Sequence, residues 1–491
     1  MSIRLFFDNY KFYTNNSILF YFIKKGSVLV KKNKNNEQFK RLFRLFLAGI
    51  LILSQTAVFA YIWHNYYNAG IVLPFERRGH WMVYALHSVI LAVFLHSFDG
   101  IKYGRFKKSN VMISQALASF FTLFITYFQI VLMSAGFVNP VPLLACFGIN
   151  LVIILVMTLV GDFWFTKLFP AKKIIVVYDK YSPDIFLLKL KTRPDKFLIK
   201  EVINISEGIE KIEDSAKEAQ GVILYDIHAE ARNKLLKICF ENDIRAYATT
   251  KISDVLVRGA ECIHIFDTPL LLYRNQGMTI EQRFIKRLMD IVVSSILLVI
   301  TSPFLLLSAI MIKLYDGGPV FFRQERATIN GKVFRIHKFR SMIVDAEKDG
   351  APKPTVDGDP RITPIGKFLR ATRLDELPQL IDILVGNMSL VGPRPERIEH
   401  VKQYTEDIPE FQYRLKVRGG LAGYAQLYGK YNTSPYDKLQ LDLMYIQNYS
   451  LLLDIRMLLM TVKIMFMKES TDGFTQEESN KINEKSKDEE K

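Results

Sequence analysis

Four long runs without a single Lys, Arg, Asp or Glu stand in the first third of the chain: Leu45 to Trp63, Trp81 to Phe98, Val111 to Met133 and Val141 to Gly161. Each is close to the ~20 residues an α-helix needs to cross a bilayer. Backbone groups in hydrocarbon must find their hydrogen bonds within the segment, so four transmembrane helices are expected here, in a transmembrane domain over 45–165.

The charges between the runs set the expected orientation. Residues 1–44 hold ten Lys/Arg, among them Lys24, Lys25, Lys31, Lys32, Arg41 and Arg44, against Asp8 and Glu37. This 10 − 2 = +8 flank predicts a cytoplasmic N-terminal segment. Parity then puts the loop with Lys102, Arg105, Lys107 and Lys108 inside and the uncharged loop Ser134 to Pro140 outside, with Arg77 and Arg78 a minor violation. More than forty residues precede the first run and no small-residue cleavage pattern follows it, so a removed signal peptide is not expected. His87 and His96 are ligand or proton-carrier candidates, but with no acidic partner inside a span they are expected as bundle-facing or interfacial histidines.

Composition agrees with a membrane protein. The chain has 65 Lys+Arg and 49 Asp+Glu, 65 − 49 = +16, yet 49% of its residues are hydrophobic and its mean hydropathy is +0.11. A soluble nucleic-acid binder gains charge by losing apolar residues, so basic cytoplasmic parts of a membrane protein account better for this pairing. At roughly 150 residues per domain, 491 residues suggest about three units. Cys146, Cys239 and Cys262 are odd in number and too far apart for short zinc spacings, so neither a disulfide framework nor a zinc site is expected.

Beyond Lys172 short β-rich runs alternate with helical ones. Ile174 to Tyr178, Leu198 to Ile203, Gly221 to Tyr225, Arg245 to Ala248 and Cys262 to Phe266 predict strands. Asp184 to Lys191, Gly208 to Ala219 and Ala229 to Glu241 predict helices, giving an α/β domain over 171–270 with a doubly wound parallel sheet. Its first strand-to-helix turn, Asp179-Lys180-Tyr181-Ser182-Pro183, has no glycine to admit a phosphate, so a structural or regulatory module is expected rather than a dinucleotide site.

A fifth charge-free run, Ile291 to Ile312, is long enough to span but carries Ser302-Pro303 in its middle. Proline there removes the hydrogen bond to the Val299 carbonyl, a bond Ser302 can replace. If the run crossed, Lys313 to Lys468, with 24 basic and 18 acidic residues, would lie outside against the positive-inside bias. A re-entrant helix over 284–314, broken at Ser302 and Pro303, keeps both ends in the cytoplasm; a kinked spanning helix is the alternative.

Behind it, cations gather near two adjacent carboxylates. Lys338, Arg340, Arg361, Lys367 and Arg370 precede Asp375-Glu376, and Arg394 follows between Pro393 and Pro395. Arginine forks match phosphate oxygens, so Lys338, Arg340, Arg361, Arg370 and Arg394 are candidate phosphate binders. Pro378 suits the first turn of a helix through Gln379 to Val385, which sets Asp375 and Glu376 at its N-terminal end. The pair can act as nucleophile and support, or as metal ligands, while dipole complementation is the plain alternative for carboxylates before a helix. Asp357-Gly358-Asp359 is a second acidic candidate in a turn-rich stretch. No Walker loop, nucleophile elbow or zinc-protease motif occurs.

These residues belong to six ordered segments: Lys286-Arg287-Leu288-Met289-Asp290, Gly318 to Gln324, Lys338 to Met342, Asp359-Pro360-Arg361-Ile362-Thr363, Leu374 to Leu380 and Met388 to Glu396. In them the domain over 281–468 resembles the catalytic domain of the bacterial polyprenyl-phosphate sugar-1-phosphate transferases, and the whole chain resembles the long, polytopic members. The resemblance implies a re-entrant helix and a catalytic dyad at Asp375 and Glu376. It implies that the aspartate attacks the sugar-bearing phosphate of a UDP-sugar, UMP leaves, and the phosphosugar passes to undecaprenyl phosphate with Mg²⁺ assisting. Arg418-Gly419-Gly420-Leu421-Ala422-Gly423, where the family commonly reads Arg-Pro-Gly-Ile-Thr-Gly, and Arg373, where serine is frequent, depart from the pattern and bear on sugar specificity.

The expected partners are a UDP-sugar, undecaprenyl phosphate, membrane lipid and downstream glycosyltransferases of a glycan pathway, with a homodimer left open; nucleic acid is not among them. Two other functions stay open: a metal-dependent glycosyltransferase releasing UDP through Asp357 and Asp359, and an inactive membrane scaffold. Tyr436 to Phe466 mixes apolar residues with Asp442, Asp454, Arg456 and Lys463 and suits interfacial helices or core helices alike. The charged segment 469–491 suggests a disordered tail.

Overall fold

The structure, a computed structural model, describes residues 39–273, 277–344, 346, 359–429 and 433–467. Residues 1–38 of the basic segment, Asp357 and Gly358 of the second acidic candidate and the segment 469–491 lie outside them. The chain divides into two compact units, one within Met1–Lys173 and Leu188–Ile199, the other Ile174–Leu187 and Lys200–Lys491.

The first unit is built on four helices, α1 (Phe39–Ile62), α2 (Arg78–Ser97), α3 (Lys108–Met133) and α4 (Val141–Leu168). Helix α1 continues through a π turn, Trp63–Tyr67, and a 3₁₀ turn, Asn68–Gly70. Each helix reaches beyond its charge-free run at one end and takes flanking charged residues into its end turns. Their outer faces bare apolar side chains such as Leu53 and Leu132, whereas polar groups point inward, the arrangement expected where lipid is the solvent. Gln115 Nε2 donates to Gly100 O and Tyr103 Oη, both at 2.9 Å, and its Oε1 accepts from Thr158 at 3.1 Å. His87 faces the bundle, stacked on Phe59 at 4.1 Å with Nδ1 3.2 Å from Thr126 Oγ1; His96 is exposed.

Four strands, β1 (Lys172–Tyr178), β2 (Phe197–Asn204), β3 (Gly221–Tyr225) and β4 (Ala246–Ala248), form one sheet in the order β2-β1-β3-β4, with most of its residues in the second unit. Strand β1 pairs parallel with β3, Ile174 opposite Gly221 through Tyr178 opposite Tyr225, and four consecutive β1 residues, Ile174 to Val177, are fully buried. A continuous apolar run is what a strand covered on both faces requires. Helices α5 (Asp184–Lys191), α6 (Ile209–Lys217), α7 (Ala229–Glu241) and α8 (Ile252–Arg258) connect the strands and lead out of β4.

The fifth expected strand departs from this sheet. β5 (Glu261–Ile265) pairs antiparallel with β6 (Thr268–Leu272), Glu261 opposite Leu272 through Ile265 opposite Thr268. Only Phe266 and Asp267 separate the two, and so short a link permits a hairpin but not the crossover a parallel neighbour needs.

The rest of this unit is organised around helix α9 (Ile280–Asp316). Thr279 caps its start and Gly317, at φ +70, ends it in a left-handed turn that glycine adopts without strain. Helical conformation runs through Ser302 and Pro303, so the expected break is not an interruption of the helix. Ser302 Oγ donates to Val299 O at 2.8 Å, the carbonyl deprived by the proline. Both ends of α9 are fastened to one globular body. Near the start Lys286 bonds Asp454 at 2.6 Å, Arg287 bonds the carbonyls of Ile383 and Leu384 at 2.6 and 2.7 Å, and Asp290 accepts from Ser389 Oγ and Leu390 N at 3.0 Å. Near the finish Ile312 packs with Phe339 and Leu369. Between them Val299, Ile300, Phe304 and Leu306 are bare. Five helices among the described residues, α1 to α4 and α9, are long and apolar enough to cross a membrane.

The body itself comprises the hairpin β7 (Phe321–Ala327) and β8 (Val333–Phe339), helices α10 (Pro364–Thr372) and α11 (Gln379–Val385), strand β9 (Ser389–Val391), helix α12 (Ile398–Asp407), strand β10 (Gly420–Ala422) parallel to β9, and helices α13 (Tyr424–Tyr428), α14 (Pro435–Gln447) and α15 (Leu451–Met465). Helices α14 and α15, open to either environment on sequence, join its core through Leu439, Leu443, Ile446 and Met457. Val255 of α8 lies in the same core, and Thr250 and Gln440 bond each other, so the α/β sheet's last connection is docked on α14.

Candidate active site

Strand β8 alternates its faces, and Phe334, Ile336 and Lys338 fall on the same side. The first two are core residues, so the Lys338 side chain is carried inward. Its ammonium is held below its ordinary range by burial and the Arg394 charge, with Glu376 acting against them.

Helix α10 brings the carboxylates to that lysine. A Cβ at Gly366 would stand 2.0 Å from Ser341 O, so only glycine lets α10 lie this close to the chain leaving β8. One turn on, Arg370 Nε donates to Ser341 Oγ at 2.8 Å. Arg373 then takes a left-handed conformation, φ +55, which costs a side-chain-bearing residue about 1–2 kcal/mol and turns the chain into a 3₁₀ turn, Leu374–Glu376. Helix α11 follows over Gln379–Val385 with Pro378 at its start, the bounds expected from sequence.

The adjacent acids have different surroundings. Glu376 Oε1 accepts from Lys338 Nζ at 2.8 Å and from Arg394 Nη2 at 3.0 Å. Burial alone would raise its pKa, but Arg394 and Lys338 outweigh that and hold the carboxyl well below the usual range. Asp375 is half-buried and forms no ion pair among the described residues. Burial and the Glu376 charge push its carboxyl up, with Lys338 and Arg370 opposing.

Arg394 is itself held from behind. Arg414 Nη2 donates to Arg394 O at 2.8 Å and lies 2.8 Å from Asp442 Oδ2, in a pair 3% and 1% exposed. Burial pushes the Asp442 carboxyl up to about 6 against the pull of Arg414. A Cβ at Gly420 would meet Gly392 N at 2.0 Å, so the pairing of β10 with β9 beside Arg394 requires bare backbone.

Of the five cations singled out on sequence, Lys338 and Arg394 meet on Glu376, and the Arg370 charge reaches Asp375. Arg340 instead forks onto Asp316 at the end of α9, with Nη1 2.6 Å from Oδ2, and Arg361 forks onto Asp359 at 2.9 and 2.6 Å. The same bond makes Asp359 of the second acidic candidate a partner of Arg361. Lys286, Asp290, Arg414, Asp442 and the buried Asp382, which accepts from His337 N at 2.9 Å, were not singled out as site residues. For Lys286, Asp290, Asp382 and Asp442 the visible signal is charge beside apolar residues in a helix; Arg414, in the polar 3₁₀ turn Pro409–Lys416, carries none.

No group of three or more His, Cys, Asp or Glu that could enclose a metal occurs among the described residues. Mg²⁺ does not need one, because it takes one or two carboxylates and completes its shell with water and substrate phosphate. Asp375 and the second oxygen of Glu376 fit that habit.

A family model described as bacterial sugar transferase matches residues 281–468. The UDP-N-acetylgalactosamine-undecaprenyl-phosphate N-acetylgalactosaminephosphotransferase of Aeromonas hydrophila is 38% identical over 236 residues, covering 47% of this chain and 54% of the relative. The UDP-glucose:undecaprenyl-phosphate glucose-1-phosphate transferase of Escherichia coli is 40% identical over 211 residues, 42% of this chain and 44% of the relative. Each of these matches thus spans about half the relative's length. The exopolysaccharide production protein PSS of Rhizobium leguminosarum is 41% identical over 188 residues, 36% of this chain and 93% of the relative.

Proposed function

The chain belongs to the bacterial sugar transferase family, and we propose that it transfers a sugar 1-phosphate from a UDP-sugar to undecaprenyl phosphate at the cytoplasmic face of the bacterial inner membrane, releasing UMP and starting a lipid-linked glycan. The observation that carries this is the division between the two acids: Glu376 is spent on two cations, and Asp375 keeps its carboxylate for substrate.

A desolvated carboxylate is more basic and a better nucleophile. Asp375 attacks the phosphorus that bears the sugar; a bond forms from its oxygen to that phosphorus as the bond to the bridging oxygen breaks. UMP departs with the electron pair. The phosphate oxygen of undecaprenyl phosphate then attacks the same phosphorus and expels Asp375, leaving a sugar diphospholipid. Arg394 and Lys338, tethered through Glu376, spread the charge of the transferring group, the main task in phosphoryl transfer. Mg²⁺ held by Asp375 and Glu376 would neutralise the diphosphate of the donor.

Helix α9 supports a re-entrant insertion. It spans 37 residues, about 55 Å at 1.5 Å per residue, and its two ends are fastened to one body while its middle is bare and apolar. A crossing segment has its ends on opposite sides of the bilayer. A dip and return holds the site at the membrane face, where a lipid phosphate can reach it.

The test is the nucleotide product. With undecaprenyl phosphate and either UDP-glucose or UDP-N-acetylgalactosamine, the donors of the named relatives, UMP is expected from at least one. UDP as the product would contradict the proposal.

A further inference from the structure

At the end of the helical unit where α1 begins and α4 stops, separate stretches of chain bring cations together. Arg193 Nη1 and Lys196 Nζ both donate to the carbonyl oxygen of Arg105, at 3.0 and 2.6 Å. Arg193 is matched by Asp195 through two bonds of 2.8 and 2.7 Å. Lys196 forms no ion pair among the described residues, so one neutral carbonyl serves two cations. Burial and the charges of Arg193, Arg105 and Lys40 hold the Lys196 ammonium down to about 8, with Asp195 opposing. Like charges held this close repel, and an anion arriving among them relieves the repulsion.

Beside the cations lies an aromatic floor. Phe165 and Phe169 are 5.0 Å apart, and Lys40 Nζ stands 5.3 and 5.6 Å from their centroids. Arg44 lies over Phe165 at 5.2 Å. Phe165 is buried and Phe169 half-buried, so Phe169 is the ring open beside the cations; an apolar ring next to cations, at the end of membrane-length helices, matches a molecule with a hydrocarbon chain and an anionic head. Acidic phospholipid is the abundant anion of that chemistry at a membrane surface.

We propose that this end of the helical unit binds the headgroup of an acidic phospholipid, with Lys196 and Arg105 on the phosphate and the half-buried Phe169 ring beside the start of the acyl chain. All its residues belong to the first unit, and the inference does not rest on the proposed reaction.

The full chain in detergent, mixed with phosphatidylglycerol or phosphatidylcholine, is examined by native mass spectrometry for retained lipid. Phosphatidylglycerol is expected to be held in preference. At roughly one kcal/mol per surface cation, Lys196→Ala weakens its retention about fivefold and Arg105→Ala with Lys196→Ala about twenty-five-fold, while Lys196→Arg retains it. Equal retention of the two lipids, or unchanged retention in the double variant, overturns the proposal. Should the double variant aggregate, the unaltered protein decides: raising salt to about 1 M should strip phosphatidylglycerol by screening, and retention indifferent to salt counts against the site.

Discussion

Lys338 Nζ and Glu376 Oε1 lie 2.8 Å apart, joining the last turn-inward position of strand β8 to the carboxylate next to the proposed nucleophile. Arg394 completes the arrangement at 3.0 Å, so Glu376 gathers two cations from segments well separated in sequence.

Glu376→Gln leaves Lys338 and Arg394 facing each other without an anion. Removing one member of a buried charge cluster is expected to cost about 3 kcal/mol, read as a lowered Tm in detergent, together with a large loss of kcat. A variant as stable and as active as the parent would show that Glu376 does not hold the cations in place.

Asp442 supplies a pH dependence. Its folded pKa of about 6 lies above the ordinary aspartate value, so the folded state binds the extra proton and this group's contribution to stability falls as pH rises through that window. Activity runs the other way: protonation weakens the hold on Arg414 and hence on the Arg394 backbone, so kcat should decline below about pH 6. Asp442→Asn should remove that acid limb; an unchanged profile would place the limb elsewhere.

The buried pair Lys286–Asp454 fastens the start of α9. Lys286→Met is expected to destabilise by about 3–5 kcal/mol because Asp454 is left uncompensated. Combining it with Asp454→Leu should recover most of the loss, measured as Tm.

Re-entry of α9 predicts sidedness. In a Cys262→Ser background, a cysteine at Lys332 should resist a membrane-impermeant maleimide applied to intact cells, and one at Gly136 should react. Labelling at position 332 would mean that α9 crosses.

Local chemistry made much of this legible. Pro378 announced α11 to the residue, and the unbroken Ile174 to Val177 run announced a strand covered on both faces. Ser302 was legible as the donor to Val299 because a proline fixes which carbonyl is deprived. The hairpin β5–β6 is not legible in Cys262 to Phe266 alone, because its pairing depends on the equal run Thr268–Leu272 that follows. Lys338 and Arg394 could be named as site cations, but the carboxylates meeting Arg340 and Arg361 could not, since a long side chain's partner is set by tertiary geometry. Asp442 and Asp454 illustrate the same limit: charge on an apolar helix suits a membrane surface and a buried ion pair equally until the partners Arg414 and Lys286 are seen.

The central claim is that Asp375 carries the phosphosugar. The protein is incubated with a UDP-sugar in the absence of undecaprenyl phosphate and digested for peptide mass spectrometry. The account predicts a hexose-phosphate or N-acetylhexosamine-phosphate mass on the peptide containing Asp375, UMP in equal amount, and neither in Asp375→Asn. Full turnover by Asp375→Asn with no adduct in the parent would contradict it.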